Sequence, residues 1–590
     1  MTSDQALAMA RSCRVIAYDC ETTGLDPYGD RIIGHVITSD FASIYVPVRH
    51  SGGNNIDDPD VFERELARAF ALRSRLGLRT VCHNAGFDLW MAAKQGIVIG
   101  DPVDDTMIRA VLVDDSHHSY SLASCAERAD VPGKLGAELL VELAKFGRKG
   151  EKNVMRHLHR LPGDHRLVVE YAEQDGATTL ALWQAQEGAI EDRGLRRVAE
   201  VERKLIPHLA ALRRRGIRID QTYADQAVSQ VRKELDRMRM HFPADFKVNA
   251  KAHTVPWLRQ NGVNHFPMTP KGAEGTAKAF LELSEPGLKI IKLRELEKIE
   301  GSFIMPLLRE HMQKGRIHPE LVQSRNDSGR GTHTGRFSCV NPNLQQYPKR
   351  NEALGRIVRP LIIPDTGFDL AESDVSQQEP RLYAHYSREE SLLTGYNADP
   401  PVDVHAITSK LLNIDRDKAK TLGLSIFNGM QAVSLAQRLK VPVSEADNYL
   451  YRFFSAYPAI HEFTRVAPIG ASQHGYVFTV LGRILHLRWD ETRMAVSRII
   501  QGGAADQMKM MLLRACEFAA AYPEKLHVLM SIHDSILWQR RKGWDHTEFT
   551  KVLEDNSEFF QIVNGERIPM RVPFPLETRF GRNWAEASYK

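Results

Sequence analysis

The sequence predicts a multidomain α/β protein, and three observations support this class. The chain has 590 residues, too many for one hydrophobic core, so two to four domains are expected. Short apolar runs of strand length, such as VIAYD (15–19) and LHVLMSI (526–532), each end at polar residues. Long amphipathic helical patterns begin at about residue 196. Strands at both ends of the chain and helices between them indicate an α/β protein in two parts.

The composition is that of an ordinary soluble globular protein, with 43% hydrophobic and 26% charged residues. A net charge of +4 neither requires nor excludes a nucleic-acid partner, because catalytic carboxylates can offset a basic groove. The six cysteines form no CxxC pair, which argues against a zinc site and a disulfide framework. The sequence contains no apolar run of signal or membrane-spanning length, so we expect a cytoplasmic protein without membrane contact.

The first predicted strand ends in a pair of acids. Asp19 and Glu21 are two residues apart, so on a strand both side chains project from one face. Two adjacent carboxylates repel each other unless a cation lies between them, and oxygen ligands suit Mg²⁺ or Mn²⁺. Taken alone, the D-x-E spacing favours an ordinary polar strand end. Later motifs in the same region favour a metal site instead.

Two further motifs place acids on predicted helices. One helix, which Asn84 would cap, carries Asp88 in its first turn, where the helix dipole favours an acid. A later helix carries Tyr171 and Asp175, which are four residues apart and share a face. Asp105 belongs to the same region, and we interpret it as a structural residue rather than a metal ligand.

In chain order these motifs read DxE, NxxxD and YxxxD. They resemble the DEDD-type 3′–5′ exonucleases with an RNase H-like fold, in the tyrosine-containing subclass. The resemblance implies that residues 1–195 form such a domain and that four acids hold two divalent ions. These acids are Asp19, Glu21, Asp88 and Asp175. Tyr171 would help to position the attacking water for two-metal hydrolysis of a phosphodiester.

Helical patterns dominate the chain from residue 196. The first predicted amphipathic helix begins at residue 196, and the last covers residues 288–313. A segment that contains several lysines lies between the predicted helices. Such helices are typical either of an arm along a nucleic-acid backbone or of a solvated hairpin. The polar loop 324–348 follows, and its Arg336 and Gln345 suit phosphate and base-edge contacts.

The stretch AESDVSQQEPRLYAHYS, residues 371–387, concentrates polar groups beside apolar ones. We interpret it as strand, sharp turn and helix, with Asp374 at the exposed end of the strand. A second acid, Asp534, lies between two apolar runs and is predicted at the tip of a β-hairpin. An acid there is exposed yet rigidly held, which suits a metal ligand, although a turn is also the commonest place for an ordinary aspartate.

A predicted helix between these two acids carries cations along one side. Arg416 and Lys420 are four residues apart, and His405 lies just upstream of the helix. Leu424 and Asn428 continue the same face, which drifts by about 40° at each step. A cationic helix face can bind a triphosphate, although most such faces are merely solvated.

These segments are similar to the motifs of the family A DNA polymerases. DVSQQEPR (374–381) is similar to motif A, the helix from Arg416 to motif B, and His533 with Asp534 to motif C. The resemblance runs from about residue 200 to the C-terminal FGRNW and implies a right-hand polymerase over 196–590. It implies a thumb over about 196–330, a palm over about 331–400 and 470–590, and fingers over about 401–469.

The resemblance also implies roles for single residues. Asp374 and Asp534 would bind two Mg²⁺ ions, with Mn²⁺ as an alternative, that activate the primer 3′-hydroxyl and stabilise the leaving pyrophosphate. Glu379 would collide with a ribose 2′-hydroxyl, so dNTPs are the expected substrates. The other residues expected at the incoming nucleotide are Gln377, His405, Arg416, Lys420, Leu424 and Asn428. Those expected to hold the DNA are Arg336, Gln345, Arg493, Gln501 and His533.

Several positions depart from the family pattern. Leu424 stands where Phe or Tyr is usual, and Asn428 stands where Tyr is usual. Pro380 replaces an apolar residue of motif A, and Ser535 replaces the glutamate of motif C. The compact arrangement, without a 5′-nuclease domain ahead of the exonuclease motifs, resembles bacteriophage replicative polymerases.

Three alternatives to a proofreading polymerase remain open. The departures favour a 3′–5′ exonuclease whose inactive polymerase half only binds DNA. A binding factor with two dead sites is disfavoured, because clustered carboxylates are destabilising without metals. Glu379 disfavours an RNA polymerase. For the polymerase we expect a monomer in the cytoplasm of a bacterial host, with primer–template DNA, dNTPs and replisome proteins (helicase, primase or single-strand-binding protein) as candidate partners.

Overall fold

The computed structural model describes residues 2–26, 28–133, 136–148, 150–269, 272–325, 331–349, 351–427 and 430–589, apart from the side chains of Leu424 and Phe427. Within these ranges, no helix combines the length and the apolar character that crossing a membrane requires. All six cysteines are free thiols, as their spacing predicted.

A five-stranded mixed sheet forms the centre of the N-terminal part. Its strands are β1 (Val15–Thr22), β2 (Ile32–Thr38), β3 (Ser43–Pro47), β4 (Arg79–Cys82) and β5 (Val103–Asp105). Their order is β3-β2-β1-β4-β5, and β1 pairs antiparallel with β2 and parallel with β4. The helices around the sheet are α1 (Ser3–Ser12), α2 (Pro59–Leu76), α3 (Ala85–Lys94), α4 (Thr106–Val113), α5 (Leu122–Ala129), α6 (Ala137–Ala144) and α7 (Arg166–Asp192). The central position of β1 places its acids in the middle of this part.

Helix α8 (Arg196–Arg215) joins the two halves of the molecule. It ends at Gly216, which has a φ of 67°. This backbone conformation is unfavourable for residues that have a side chain. The apolar face of α8 belongs to one core shared by the N-terminal sheet and the C-terminal part. The expectation of one helical arm beginning at residue 196 therefore differs from the structure, because α8 is an internal helix.

A buried network of charges holds α8 in place. The Arg483 guanidinium lies 2.6 Å from Glu202 Oε1, and its Nε donates to Asp506 Oδ1 at 3.0 Å. The Lys509 ammonium also donates to Glu202, and to the Gln323 carbonyl at 2.8 Å. Each of these charges has an opposite partner, which a buried ion needs.

The helical arm follows α8 and has its own core, in which apolar residues of α9 and α12 meet the C-terminal sheet. The elements of this region are β6 (Ile217–Ile219), α9 (Gln221–Arg239), α10 (Lys251–Gln260), α11 (Lys278–Leu281), α12 (Glu285–Lys298), β7 (Arg316–Ile317), β8 (Glu320–Val322) and β9 (Ser338–Val340). Two π-helical stretches, Ile299–Ile304 and Leu307–His311, extend α12. The predicted long helix over 288–313 is thus present, with altered winding in its second half.

An antiparallel sheet of order β14-β15-β11-β18 forms the base of the C-terminal part. The strands of this part are β10 (Ile362–Ile363), β11 (Phe368–Val375), β12 (Tyr476–Phe478), β13 (Ile484–His486), β14 (Leu526–Ile532), β15 (Ser535–Arg541), β16 (Phe560–Val563), β17 (Glu566–Pro569) and β18 (Leu576–Gly581). Its helices are α13 (Glu352–Val358), α14 (Gln378–Ser387), α15 (Glu390–Asn397), α16 (Val404–Leu412), α17 (Arg416–Phe427), α18 (Ala432–Leu439), α19 (Val443–Ala456), α20 (Pro458–His474), α21 (Ala495–Ala520), α22 (Thr547–Glu554) and α23 (Trp584–Ser588). The predicted strand, turn and helix around Asp374 and the predicted hairpin around Asp534 are both confirmed.

Candidate active sites

Three acids of the N-terminal part meet at the central strand. Asp19 and Glu21 lie on β1, and Asp175 lies on α7, which packs across that strand. One ligand oxygen from each of the three lies within 4.8 Å of the others. The same-face prediction for Asp19 and Glu21 is therefore confirmed, and α7 supplies a third carboxylate.

Asp88 on α3 lies beside this group and is only 2% exposed. Its Oδ1 accepts a hydrogen bond from the backbone N–H of Cys20 at 3.2 Å. Burial, and then the charge of Asp19, raises the pKa of Asp88 well above its usual range. We call these four acids (Asp19, Glu21, Asp88 and Asp175) the N-terminal carboxylate site. A bound cation would relieve their mutual repulsion.

Tyr171 lies one turn before Asp175 on α7 and is 8% exposed. Burial raises its pKa strongly, and the charges of Glu21, Asp175 and Asp19 raise it further. The phenol therefore stays protonated at neutral pH and can donate a hydrogen bond toward the site. The structure thus brings together all five residues that the sequence predicted here.

Asn84 occupies the predicted N-cap position of α3, and Asp105 has the predicted structural role. Asn84 has a φ of 67° and caps α3 with no side-chain hydrogen bond. The Asp105 carboxylate instead accepts from the backbone N–H groups of Asn84 at 3.1 Å and Ala85 at 2.8 Å. It also accepts from Met107 at 2.8 Å. One buried acid therefore caps both α3 and α4.

Asp374 lies on strand β11 of the C-terminal sheet, and Asp534 lies in the turn that leads into the neighbouring strand β15. Asp374 is paired with Ser535 across β11 and β15, and Asp534 lies in the two-residue turn just before β15. The Val375 N–H donates to the Asp534 carbonyl at 2.9 Å, which closes the sheet at this end. Burial, and then the charge of Asp534, raises the pKa of Asp374 to about 6. We call this pair the C-terminal carboxylate site.

Two charged residues at this site were missed in the sequence. Lys349 Nζ lies 2.6 Å from Asp374 Oδ2 and 2.9 Å from Oε1 of Glu372, which is 3% exposed. Glu372 precedes Asp374 by two residues on β11, so strand alternation alone put both acids on one face. The spacing of Asp19 and Glu21 is the same, and that argument could have identified Glu372. Lys349 follows β9 in an irregular loop and carries no comparable signal.

The residues predicted at the nucleotide lie on α14, α16 and α17 or in the turn before α14, all of which follow Asp374 in the chain. Gln377 occupies the turn before α14 with a φ of 52°, and its Oε1 accepts from the Tyr396 hydroxyl at 3.3 Å. Glu379 on α14 forms an ion pair of 2.6 Å with Arg336. These contacts place one predicted DNA-binding residue, Arg336, against one predicted nucleotide-binding residue.

The predicted phosphate-binding residues lie on α16 and α17. His405 is buried on α16, and burial, with Lys420 and Arg416 nearby, lowers its pKa to about 4. Arg416 Nε donates to Asp403 at 2.7 Å, and Lys420 is exposed on α17. The three predicted residues are therefore neighbours. Asn428 and the side chain of Leu424 lie outside the described residues.

The remaining predicted DNA-binding residues are less tightly grouped. The Nε2 of His533 lies 2.9 Å from the Gln345 carbonyl, so these two meet at the hairpin turn. Gln501 Nε2 donates to Ser497 Oγ at 3.1 Å on α21, which packs on α14. Arg493 is exposed on the short 3₁₀ turn ahead of α21.

Comparisons with known proteins cover the whole chain. Residues 215–586 match the family described as DNA polymerase family A, and residues 2–185 match the family described as 3′-5′ exonuclease. "DNA polymerase DpoZ" of Acinetobacter phage SH-Ab 15497 is 29% identical, with 95% of each chain covered. DNA polymerase I of Rhizobium leguminosarum is 26% identical over 100% of this chain and 60% of its own. The structure titled as the POL domain of Pol1 from M. smegmatis in complex with DNA primer-template and dNTP has a TM-score of 0.80, at 20% identity and 100% and 98% coverage.

Proposed function

Because this chain belongs to DNA polymerase family A and carries a 3′–5′ exonuclease domain ahead of the polymerase domain, we propose that its two carboxylate sites divide extension and proofreading between them. Both the family and the order of the domains are as the sequence motifs predicted. The pairing of Asp374 with Ser535 carries the proposal for the polymerase site, because Asp534 directly precedes Ser535 in the chain and therefore lies beside Asp374. The gathering of Asp19, Glu21 and Asp175 within 4.8 Å supports the exonuclease site.

Both sites suit divalent metal ions. Their donors are carboxylate oxygens, which Mg²⁺ and Mn²⁺ prefer. Burial, and then a neighbouring aspartate, raises the pKa of Asp88 and of Asp374, so each cluster favours a cation. We propose two Mg²⁺ ions at each site, with Mn²⁺ as an alternative. When bound, the ions would supply charge neutralisation at the phosphate and activation of the attacking oxygen.

In the polymerase site the protein would bind and select the nucleotide. Arg416 and Lys420 supply positive charge to the triphosphate, and the low pKa of His405 keeps it a neutral hydrogen-bond donor. Glu379 lies close to Asp374 in sequence and is held by Arg336. Its carboxylate would exclude a ribose 2′-hydroxyl by steric collision. Gln377 and the predicted Leu424 and Asn428 would complete the nucleotide pocket.

The primer and the template would lie against residues from several elements. His533 and Gln345 meet at the hairpin that carries Asp534, so they would contact the primer end. Arg336, Arg493 and Gln501 would hold the two strands nearby. Positioning by such groups accounts for most of the protein's contribution to phosphoryl transfer.

In the exonuclease site Tyr171 would act as a hydrogen-bond donor. Its raised pKa keeps the phenol protonated, and it lies one turn from Asp175. A neutral hydroxyl there can orient a water molecule next to the carboxylates without adding negative charge. Asp19, Glu21, Asp88 and Asp175 would hold the ions.

We propose fingers over about 401–469 and a palm over about 331–400 and 470–590, as the resemblance implies. The thumb would begin after α8, because that helix is part of the shared core. Primer–template DNA and dNTPs would be the substrates. We further propose a monomer that works in the cytoplasm of a bacterial host during phage DNA replication, together with replisome proteins such as a helicase, a primase or a single-strand-binding protein.

Primer extension with matched and mismatched 3′ ends tests this function. With Mg²⁺ and dNTPs we expect the matched primer to lengthen, and the mismatched primer to be shortened before it lengthens. Without dNTPs both should shorten, and with EDTA neither should change. A matched primer that only shortens in the presence of dNTPs would instead identify an exonuclease with an inactive polymerase half.

A further inference from the structure

Glu372 is a third acid at the C-terminal carboxylate site, and the proposed function assigns it no role. It lies on β11 two residues before Asp374 and faces the same side of the sheet. Its Oε2 accepts from Trp584 Nε1 at 2.9 Å, from the Ser588 hydroxyl at 2.5 Å and from Arg359 Nη1 at 3.4 Å. Its Oε1 accepts from the Ser535 hydroxyl at 3.1 Å and from Lys349 Nζ at 2.9 Å. The carboxylate is therefore fixed from several sides.

Lys349 connects this fixed acid to Asp374. The ammonium lies 2.9 Å from Glu372 Oε1 and 2.6 Å from Asp374 Oδ2, while 42% of the lysine side chain is exposed. One cation thus bridges a buried carboxylate and a carboxylate that faces the proposed metal site. A divalent ion approaching Asp374 meets an ammonium that already occupies one of its oxygens.

We propose that Lys349 is a positioning residue, held by Glu372, that orients Asp374 and sets how tightly the polymerase site binds divalent metal. The inference rests on the proposed role of Asp374. Before a metal ion arrives, the ammonium offsets the repulsion between Asp374 and Asp534. When the ion binds, the ammonium loses its hold on Asp374 but keeps its partner Glu372. Glu372 therefore prevents the released charge from remaining unpaired in the site.

Ser535 fits this arrangement. It stands where the family resemblance predicts a glutamate, and its hydroxyl donates to Glu372. A carboxylate at position 535 would lie against that of Glu372 and would repel it. In this chain the third acid of the site comes from β11, and the hairpin contributes a hydrogen-bond donor.

Manganese binding to the DNA-free full-length protein tests the proposal. Free Mn²⁺ is measured by electron paramagnetic resonance in a chain that carries Asp19→Ala and Glu21→Ala, which removes binding at the N-terminal site. Lys349→Met removes the competing charge, so Mn²⁺ should bind roughly fivefold or more tightly. Glu372→Gln leaves the ammonium with Asp374 alone, so Mn²⁺ should bind more weakly by a similar factor. The double variant should bind Mn²⁺ about as tightly as Lys349→Met, because Glu372 acts through the ammonium that this variant lacks.

The affinity for Mn²⁺ should rise in Lys349→Met and fall in Glu372→Gln, whereas a merely structural role predicts the same direction of change in both variants. Lys349→Arg should stay close to the parent, because it keeps the charge, and Lys542→Met, at an exposed lysine beyond β15, serves as the matched control. If Lys349→Met does not fold, as judged by thermal unfolding, Lys349→Gln replaces it. Affinities that move in the same direction in both single variants, or by less than twofold in both, would overturn the proposal. Asp374→Ala tests the proposed function separately. If Mn²⁺ binding were unchanged in that variant, Asp374 would not be a metal ligand.

Discussion

The two carboxylate sites begin from the same sequence pattern and use it differently. On β1, Asp19 and Glu21 lie two residues apart and both face Asp175. On β11, Glu372 and Asp374 have the same spacing, yet Glu372 is buried among donors and holds Lys349. Two acids on one strand face can thus be two metal ligands, or one ligand and one support. The burial of each acid and the partners it contacts show whether it is a candidate metal ligand or a support, and the spacing alone does not.

The largest expected effect is the loss of one activity at a time. Asp534→Ala removes an acid of the C-terminal carboxylate site, which we propose to be the polymerase site, and we expect extension to fall by at least about 10³-fold while exonuclease activity persists. Asp19→Ala should do the reverse. Primer extension and degradation of a labelled single strand, measured on the same samples, check both.

The two aspartates need a matched control. Asp369→Ala changes an aspartate of the same strand, β11, five residues before Asp374, and should affect neither activity. If either active-site variant lost both activities while remaining folded, the two sites would not be independent.

The second largest expected effect is on the preference for dNTPs over rNTPs, which should depend on the C-terminal site alone. Glu379→Ala removes the carboxylate proposed to exclude a 2′-hydroxyl, so the preference for dNTPs over rNTPs should fall by about 10²-fold in kcat/KM. Exonuclease activity on DNA should not change. Glu379→Gln keeps the size of the side chain and should keep most of the preference. An alanine variant that discriminates like the wild type would contradict the steric role.

A smaller effect concerns stability without metal. The pKa of Asp88 is raised, so its favourable contribution is complete below pH about 4 and is lost as the pH rises through the folded-state value. In EDTA at neutral pH, Asp88→Asn should therefore raise the free energy of unfolding by about 1 kcal/mol or more, while abolishing exonuclease activity. The gain should vanish near pH 4.

Asp374→Asn provides the comparison. The pKa of Asp374 is raised only to about 6, and Lys349 opposes the shift, so the gain should be smaller, under about 1 kcal/mol. Urea unfolding of both variants over a range of pH checks the order. A larger gain from Asp374→Asn would mean that the polymerase site, and not the exonuclease site, is the more strained without metal.

The smallest expected effect lies where the two halves touch. The His486 ring, from β13, lies 2.6 Å from Asp115 of the N-terminal part, and this hydrogen bond raises the histidine pKa. Its contribution to stability is complete below pH about 6.5 and is lost as the pH rises through the raised value. His486→Asn should remove that pH-dependent part, under about 1 kcal/mol. Urea midpoints between pH 5.5 and 9 measure it, with exposed His474→Asn as the control, and an unchanged pH profile would contradict the contact.

Local patterns predicted most of what positions the two sites. The turn after Asp374, the hairpin around Asp534 and the helix of Tyr171 and Asp175 depend on residues close in sequence, so periodicity and turn signals sufficed. Lys349 was missed because its partners are set by the fold and not by its neighbours. Asn84 occupies the predicted cap position, but Asp105, 21 residues later, accepts the hydrogen bonds there. Helix α8 was predicted to be part of an arm because the sequence of its charged face does not indicate the buried partners of Glu202, which are Arg483 and Lys509.

The network around Glu202 also has a consequence for biosynthesis. Glu202 and Lys509 are 307 residues apart in the chain. At 5–20 residues per second, a ribosome needs roughly 15 to 60 s to make the intervening segment. For most of that time α8 has been made, but neither Arg483, which is 281 residues after Glu202, nor Lys509 exists to neutralise its acid. The junction that α8 makes with the C-terminal part must therefore wait until the chain is almost complete.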